Sequence, residues 1–323
     1  MERQTGIAQT IELAADRARY DECAKKLLTY KAVIAWILKS CTKEFSQYSV
    51  KFICDNCLNE DVELSEHAVN QDQMNRDERL DGDKRLDGLN TEANSIKDQT
   101  VYYDIRFKAT LPGKKEPVQL IINLEIQLND TPGYPLVTRG FYYCARMISE
   151  QYGTVFTDEH YEDIQKVYSI WICPDPAKKR RNGIFKYHTV QDTIVGDSDV
   201  KSESYDLMEV VILNLGDADE SSELEILDLL NVLFSTTATP EEKKKRLNDE
   251  FDIAMTAEFE SEVRDMCNLS KALVEQGIEQ KNLSLAKMML ENNEPIDKIA
   301  KYTGYGIDKV KEIAEQMKTP LSV

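Results

Sequence analysis

The sequence predicts an α/β protein in which strands and helices interleave over the first two thirds and helices alone fill the last third. Three observations carry this. Apolar and polar residues alternate with a period of two over 101–107 and again over 118–127. Helical spacing without Gly or Pro precedes these strands, and a helical stripe follows them. From Leu224 to Gln316 the chain reads as successive helices. A length of 323 residues suits two domains, and the pattern divides them as 1–218, a sheet-bearing core, and 219–323, a helical region.

The elements follow in order. Residues 11–45 read as helix, with Leu27, Leu28, Ile34, Ala35 and Leu38 near helical spacing. The polar, acidic stretch at about 59–99 reads as a solvated insert with a short near-duplication, Arg79-Leu80-Asp81-Gly82 and Arg85-Leu86-Asp87-Gly88. Then Val101, Tyr103, Ile105 and Phe107 alternate with Tyr102, Asp104 and Arg106. After a Pro- and Gly-containing turn, Leu120, Ile122, Leu124 and Ile126 form one face of a second strand, and Ile121, Asn123, Glu125 and Gln127 the other. Two strands joined by a short loop predict an antiparallel hairpin. A helix is expected from about Leu136 to Tyr152, and strands at Val167–Cys173 and Met208–Leu215. The helical region has breaks near Thr237–Pro240, Asn293–Pro295 and Thr303–Gly306.

Composition narrows the function classes. Hydrophobic residues make up 41% of the chain, enough for a packed core. Forty basic against 58 acidic residues leave a net charge of −18, so contact with a polyanion must be local or metal-mediated. Residues 201–265 alone carry a net −12, which leaves room for positive ground earlier. Seven cysteines at irregular spacing fit free thiols in a reducing compartment. The opening Met-Glu-Arg-Gln-Thr-Gly leads into no apolar segment, and no apolar run approaches the roughly 20 residues of a membrane span. A cytoplasmic protein without a membrane partner is therefore expected. Cys54-x-x-Cys57 lacks the further ligands of a zinc site, His67, His160 and His188 are scattered, and no phosphate-binding glycine motif occurs.

The sharpest chemical feature is the hairpin's polar face. Asp104, Glu125 and Gln127 project from the same side, opposite the apolar one. A carboxylate from each strand can share a hard divalent cation, which takes one or two protein carboxylates and fills its shell with water and phosphate oxygens. Spacing alone leaves a plain solvated hairpin open, since strand faces often carry acids. Three polar residues in an otherwise apolar strand, however, require partners. On the following helix Arg139, Tyr143 and Arg146 form a stripe at i, i+4 and i+7, suited either to phosphate contacts or to surface ion pairs. Lys178-Lys179-Arg180-Arg181 is the densest basic run, and Ile296–Met317 reads as helix, turn, helix, which suits either a DNA reader or a packing hairpin.

Several blocks together resemble the PD-(D/E)XK nuclease family transposases, of the Rpn-like, recombination-promoting type common in gut Firmicutes. They are Gly88-Leu89-Asn90-Thr91-Glu92, Thr100–Phe107, Ile121–Gln127, Pro132–Gly140, Tyr142–Ser149, Val167–Cys173, Ala286–Leu290 and Ile299–Tyr305. The resemblance implies a restriction-endonuclease-like core, a mixed sheet flanked by helices with acids on the central hairpin. It implies that Asp104 and Glu125 are metal ligands and that Gln127 occupies the place of the motif lysine. Tyr103 stands where the motif has proline. A neutral amide orients water but offers less electrostatic help than an ammonium. The superfamily's further acid from the first core helix falls to Glu44 or Asp21, and Glu92, just before the first strand, is another candidate.

The implied function is a Mg²⁺- or Mn²⁺-dependent DNA endonuclease of transposase or recombination type. Asp104 and Glu125 would hold the metal, Gln127 the water, and Arg139, Tyr143 and Arg146 would face the DNA. The competing reading is a weak or inactive DNA-binding or assembly protein on a degenerate nuclease scaffold. A third is a helical module at 224–316 that makes the protein a homodimer.

Overall fold

The structure, a computed structural model, describes residues 18–64, 92–93, 101–102, 104–111, 118–127, 130 and 132–318. Among these the side chains of 59–64, 92–93, 101–102, 118–119, 272–273 and 318 are not described. The expected insert and the first hairpin turn therefore lie largely outside the described residues.

The helix expected over 11–45 is two helices in its described part, α1 (18–28) and α2 (Lys31–Cys41). They part at Thr29–Tyr30, where Tyr30 is extended and the Thr29 hydroxyl donates to the Lys26 carbonyl. α2 is buried almost all round, so its sequence lacks the polar stripe of a surface helix. Ser49 caps α3 (Val50–Asn56) by accepting the Phe52 amide at 3.1 Å.

The strands are β1 (Leu58–Leu64), β2 (Glu92–Ala93), β3 (Val101–Tyr102), β4 (Ile105–Leu111) and β5 (Val118–Ile126). The helix α4 (Leu136–Ser149) follows, then β6 (Val167–Cys173), β7 (Gly183–His188) and β8 (Met208–Asn214). The main sheet has the order β1-β4-β5-β6-β8-β7, and β2 pairs with β3 in a separate ribbon. The β5–β6 and β6–β8 pairs are parallel, and β1–β4, β4–β5 and β7–β8 are antiparallel. This is the expected mixed sheet flanked by helices, with the predicted hairpin at β4–β5.

The strand expected over 101–107 is divided: Val101–Tyr102 pairs with Glu92–Ala93 in the separate ribbon, and the hairpin strand runs Ile105–Leu111. Both edges of the main sheet also differ from the sequence reading. Residues 59–64 fall in the stretch whose composition, with Asn59, Glu60, Asp61 and Glu63, reads as a solvated insert, yet Leu58–Leu64 is a strand. It is an edge strand paired with β4. Gly183–His188 forms the opposite edge beside β8.

Burial explains the central strands. Every residue of β6 is buried, as expected for a parallel strand covered on both faces. Ile121, Val167, Trp171, Cys173, Val210 and Ile212 of the sheet pack with Leu136, Tyr143, Cys144 and Met147 of α4. Gly140 permits this approach: a Cβ there would lie 2.5 Å from Val210 Cγ1 and 3.1 Å from Trp171 Nε1.

The later helices are α5 (Glu225–Phe234), α6 (Pro240–Asp249), α7 (Ala257–Glu291), α8 (Ile296–Thr303) and α9 (Ile307–Lys318). A capping box of Thr239 and Glu242 starts α6. The segment between α6 and α7 adds a break that the sequence reading did not include. The chain divides into two compact units, Asp21–Met266 and Met1–Tyr20 with Cys267–Val323. In the first, the Trp36 indole N–H donates to the Phe251 carbonyl at 3.3 Å. In the second, Ala286, Ile299, Val310 and Ile313 form a small core, and α8 ends on Gly304 at φ +72.

Candidate active site

The β4–β5 register sets the site. Ile105 pairs with Leu124, so Asp104, in the bend just before β4, stands opposite Glu125. The two side chains are reciprocally latched. The Asp104 amide donates to Glu125 Oε1 at 3.0 Å, and the Ile126 amide donates to Asp104 Oδ2 at 3.1 Å. Carboxylates distant along the chain are thus fixed side by side, each oriented by the other strand's backbone.

The remaining oxygen of Asp104 meets a residue that the sequence reading passed over. Lys25 Nζ lies 2.9 Å from Asp104 Oδ1 and 2.8 Å from Asp21 Oδ2. Burial pulls the Lys25 ammonium toward neutrality, but the charges of Asp104 and Asp21 outweigh it and hold its pKa above the usual lysine value. The local signal was present as an i, i+4 acid–lysine pair on a helix, a pattern shared by countless surface helices.

Electrostatically the two carboxylates resist ionising together. Burial first, and then the charge of Asp104, push Glu125 well above the usual carboxylate range, against the pull of the Asp104 amide, Arg139 and Asn123. Asp104 is raised too, its burial outweighing the opposing Lys25 ammonium. Such a pair favours a nearby cation.

The buried Asn123 of β5 is partnered through its side-chain nitrogen, while its Oδ1 accepts no hydrogen bond. The Asn123 amide donates to Ser169 Oγ at 3.3 Å, and the Trp171 indole N–H donates to the same oxygen at 2.9 Å. Glu125 pairs in register with Trp171, and Asn123 with Ser169. Gln127 follows β5 directly, its backbone N–H donating to the Ile172 carbonyl at 2.9 Å. Strand alternation puts it on the Glu125 side.

Of the helical stripe, Arg139 is the member whose charge reaches Glu125. Its guanidinium lies 5.0 Å from the Tyr143 ring centroid and 5.1 Å from that of Trp171. Its Nε donates to the Tyr143 phenol and its Nη1 to the Tyr134 phenol, each at 2.9 Å. Tyr143 is buried, and burial, with Glu125 next, pushes its phenol up to about 12. Arg146 is buried further along the helix.

Glu44 is held elsewhere. It accepts the Tyr168 phenol at 2.6 Å and lies 3.7 Å from Lys166. Tyr168 pairs with Ile122, three positions from the Glu125–Trp171 pair and on the opposite face of the sheet. Glu92 pairs with Tyr102 through its backbone, and its side chain lies outside the described residues, as does Tyr103. In the basic run, Arg180 pairs with Asp130 and Arg181 with Asp217, while Lys178 and Lys179 are exposed.

Among the described residues no group of three or more His, Cys, Asp or Glu is placed to hold a metal ion. The candidate donors are therefore the two carboxylates. Hard oxygen donors, both raised by burial and Glu125 further by the charge of Asp104, fit an ion such as Mg²⁺, which needs one or two of them. No helix among the described residues is long and apolar enough to cross a membrane.

A family model described as PD-(D/E)XK nuclease family transposase matches residues 86–313. No curated protein and no solved structure matches the chain.

Proposed function

Because the chain belongs to the PD-(D/E)XK nuclease family transposases, we propose that it is a metal-dependent DNA endonuclease of the Rpn-like, recombination-promoting type, hydrolysing phosphodiester bonds at the β4–β5 hairpin. The observation that carries the reading is the reciprocal latch of Asp104 and Glu125. Those two carboxylates would hold Mg²⁺ or Mn²⁺, which supplies polarisation of the phosphate and a more acidic water when bound. Gln127 orients the attacking water through its amide. Arg139, braced by Tyr134 and Tyr143, faces a backbone phosphate, with Tyr143 and Arg146 of the same helix buried beside it in the sequence stripe. A cytoplasmic setting belongs to the same proposal, in keeping with seven free cysteines, five of them buried.

Plasmid nicking tests the reading. Wild-type protein with Mg²⁺ or Mn²⁺ should nick supercoiled DNA, and Asp104→Ala and Glu125→Ala should abolish it. Equal nicking by all three proteins would refute the assignment.

A second reading, DNA binding or assembly without cleavage, is favoured by the neutral amide of Gln127 and by the net charge of −18. Calorimetric titration separates the two. Uptake of Mg²⁺ lost in Asp104→Ala supports the nuclease, and metal-independent DNA binding without cation uptake supports the scaffold.

A further inference from the structure

We propose that Lys25 is the cation of the cleavage site, supplying from α1 the positive charge that Gln127 does not; the inference rests on the nuclease reading above. Its ammonium lies 2.9 Å from Asp104 Oδ1, so it already borders the carboxylates at which phosphate would be held. A second, independent contact keeps it there: Asp21, one turn earlier on the same helix, holds Nζ at 2.8 Å. The tether lies toward solvent and the target inward, with side-chain exposures of 46% for Asp21, 21% for Lys25 and 19% for Asp104. Lys25 thus spans from the rim to the carboxylates.

Arg139 is less suited to the role. Its Nε and Nη1 donate to phenols and its plane lies over two aromatic rings, so its guanidinium is committed to a fixed place. An ammonium on a four-carbon stem has three donors that can turn, so it can keep Asp21 while facing a phosphate oxygen. In hydrolysis the water oxygen joins phosphorus and the bond from phosphorus to the leaving sugar oxygen breaks. The water gives one proton to solvent, and the leaving oxygen takes one from solvent. Lys25 keeps its own proton, and its charge faces the negative charge that gathers on the phosphate oxygens.

The test compares wild type, Lys25→Gln, Lys25→Arg and Asp104→Asn in single-turnover nicking with Mg²⁺. DNA affinity in Ca²⁺, Mg²⁺ uptake by calorimetry without DNA, and thermal melting are measured on the same proteins. Lys25→Gln should nick about 100-fold more slowly, as when one preorganised charge donor is removed. Lys25→Arg should regain about tenfold of that loss, because the charge returns without the compact geometry. DNA affinity should move by less than about threefold, and Mg²⁺ uptake by Lys25→Gln should match or exceed wild type, since a like charge has left the carboxylates. Nicking by Lys25→Gln at the wild-type rate overturns the proposal. So does a loss explained by failed Mg²⁺ uptake or by a collapsed melting transition, which would make Lys25 a structural tie. If wild type and Asp104→Asn behave alike, the nuclease reading itself fails.

Discussion

At the scale of single residues, Glu125 is where structure and chemistry conflict most. It is 3% exposed, faces another carboxylate, and has its pKa held well above the ordinary 4.5. In the metal-free protein the folded state therefore keeps this proton longer than the unfolded chain does. Its contribution to stability is fully present below the unfolded value and is lost as pH rises through the raised folded value. Replacing Glu125 with Gln removes that loss. Metal-free Glu125→Gln should melt above wild type at about pH 8, and the gap should close by about pH 4. Melting curves across that range check it, and a gap that stays constant with pH would contradict it. The same substitution should abolish nicking, so one residue should trade stability against activity. The side-by-side placement of Asp104 and Glu125 was legible in the sequence because alternation fixes which side of a strand a residue takes. Lys25 was not, because its tie to Asp104 joins residues far apart in the chain and follows no period.

At the scale of elements, α4 sets the depth of the site. It carries Arg139 and Tyr143, and Gly140 lets it settle onto β6 and β8. Gly140→Ala would put a methyl group 2.5 Å from Val210 Cγ1, against the backbone-anchored core. Overpacking of this kind costs about 1–3 kcal/mol. Urea denaturation should give a lower midpoint with an unchanged slope. Nicking should fall further than the stability loss alone explains, because Arg139 moves with the helix; an unchanged midpoint would show that α4 has room to spare. The main strands were readable because burial imposes apolar runs on β5, β6 and β8. The two edges, β1 and β7, were not, because an edge strand is half solvated and its composition resembles a loop. The split of α1 from α2 was missed because Thr29 and Tyr30 are neither Gly nor Pro, so no breaker marks it.

At the scale of the whole molecule, charge bears on the proposed encounter with DNA. The net −18 repels a polyanion at long range, and half of the basic run is already paired, Arg180 to Asp130 and Arg181 to Asp217, which leaves the exposed Lys178 and Lys179. Few phosphates can then be neutralised by the protein. Binding measured by anisotropy in Ca²⁺ should weaken only shallowly with salt, with a logarithmic slope of about −1 to −2, since each neutralised phosphate contributes about −0.9. A slope near −6 would reveal a broad basic surface that this charge distribution does not provide. On the proposed function, binding would depend on the centre itself rather than on general attraction.

Trp171 carries a practical consequence. The chain has two tryptophans, and Trp36 sits apart, against Phe251, while the Trp171 indole lies under the Arg139 guanidinium and opposite Glu125. A change of charge or hydration at the carboxylates alters the field across that ring. The molecule thus contains an intrinsic fluorophore beside the candidate site, and its ultraviolet emission would report the proposed ion uptake in real time without any attached dye.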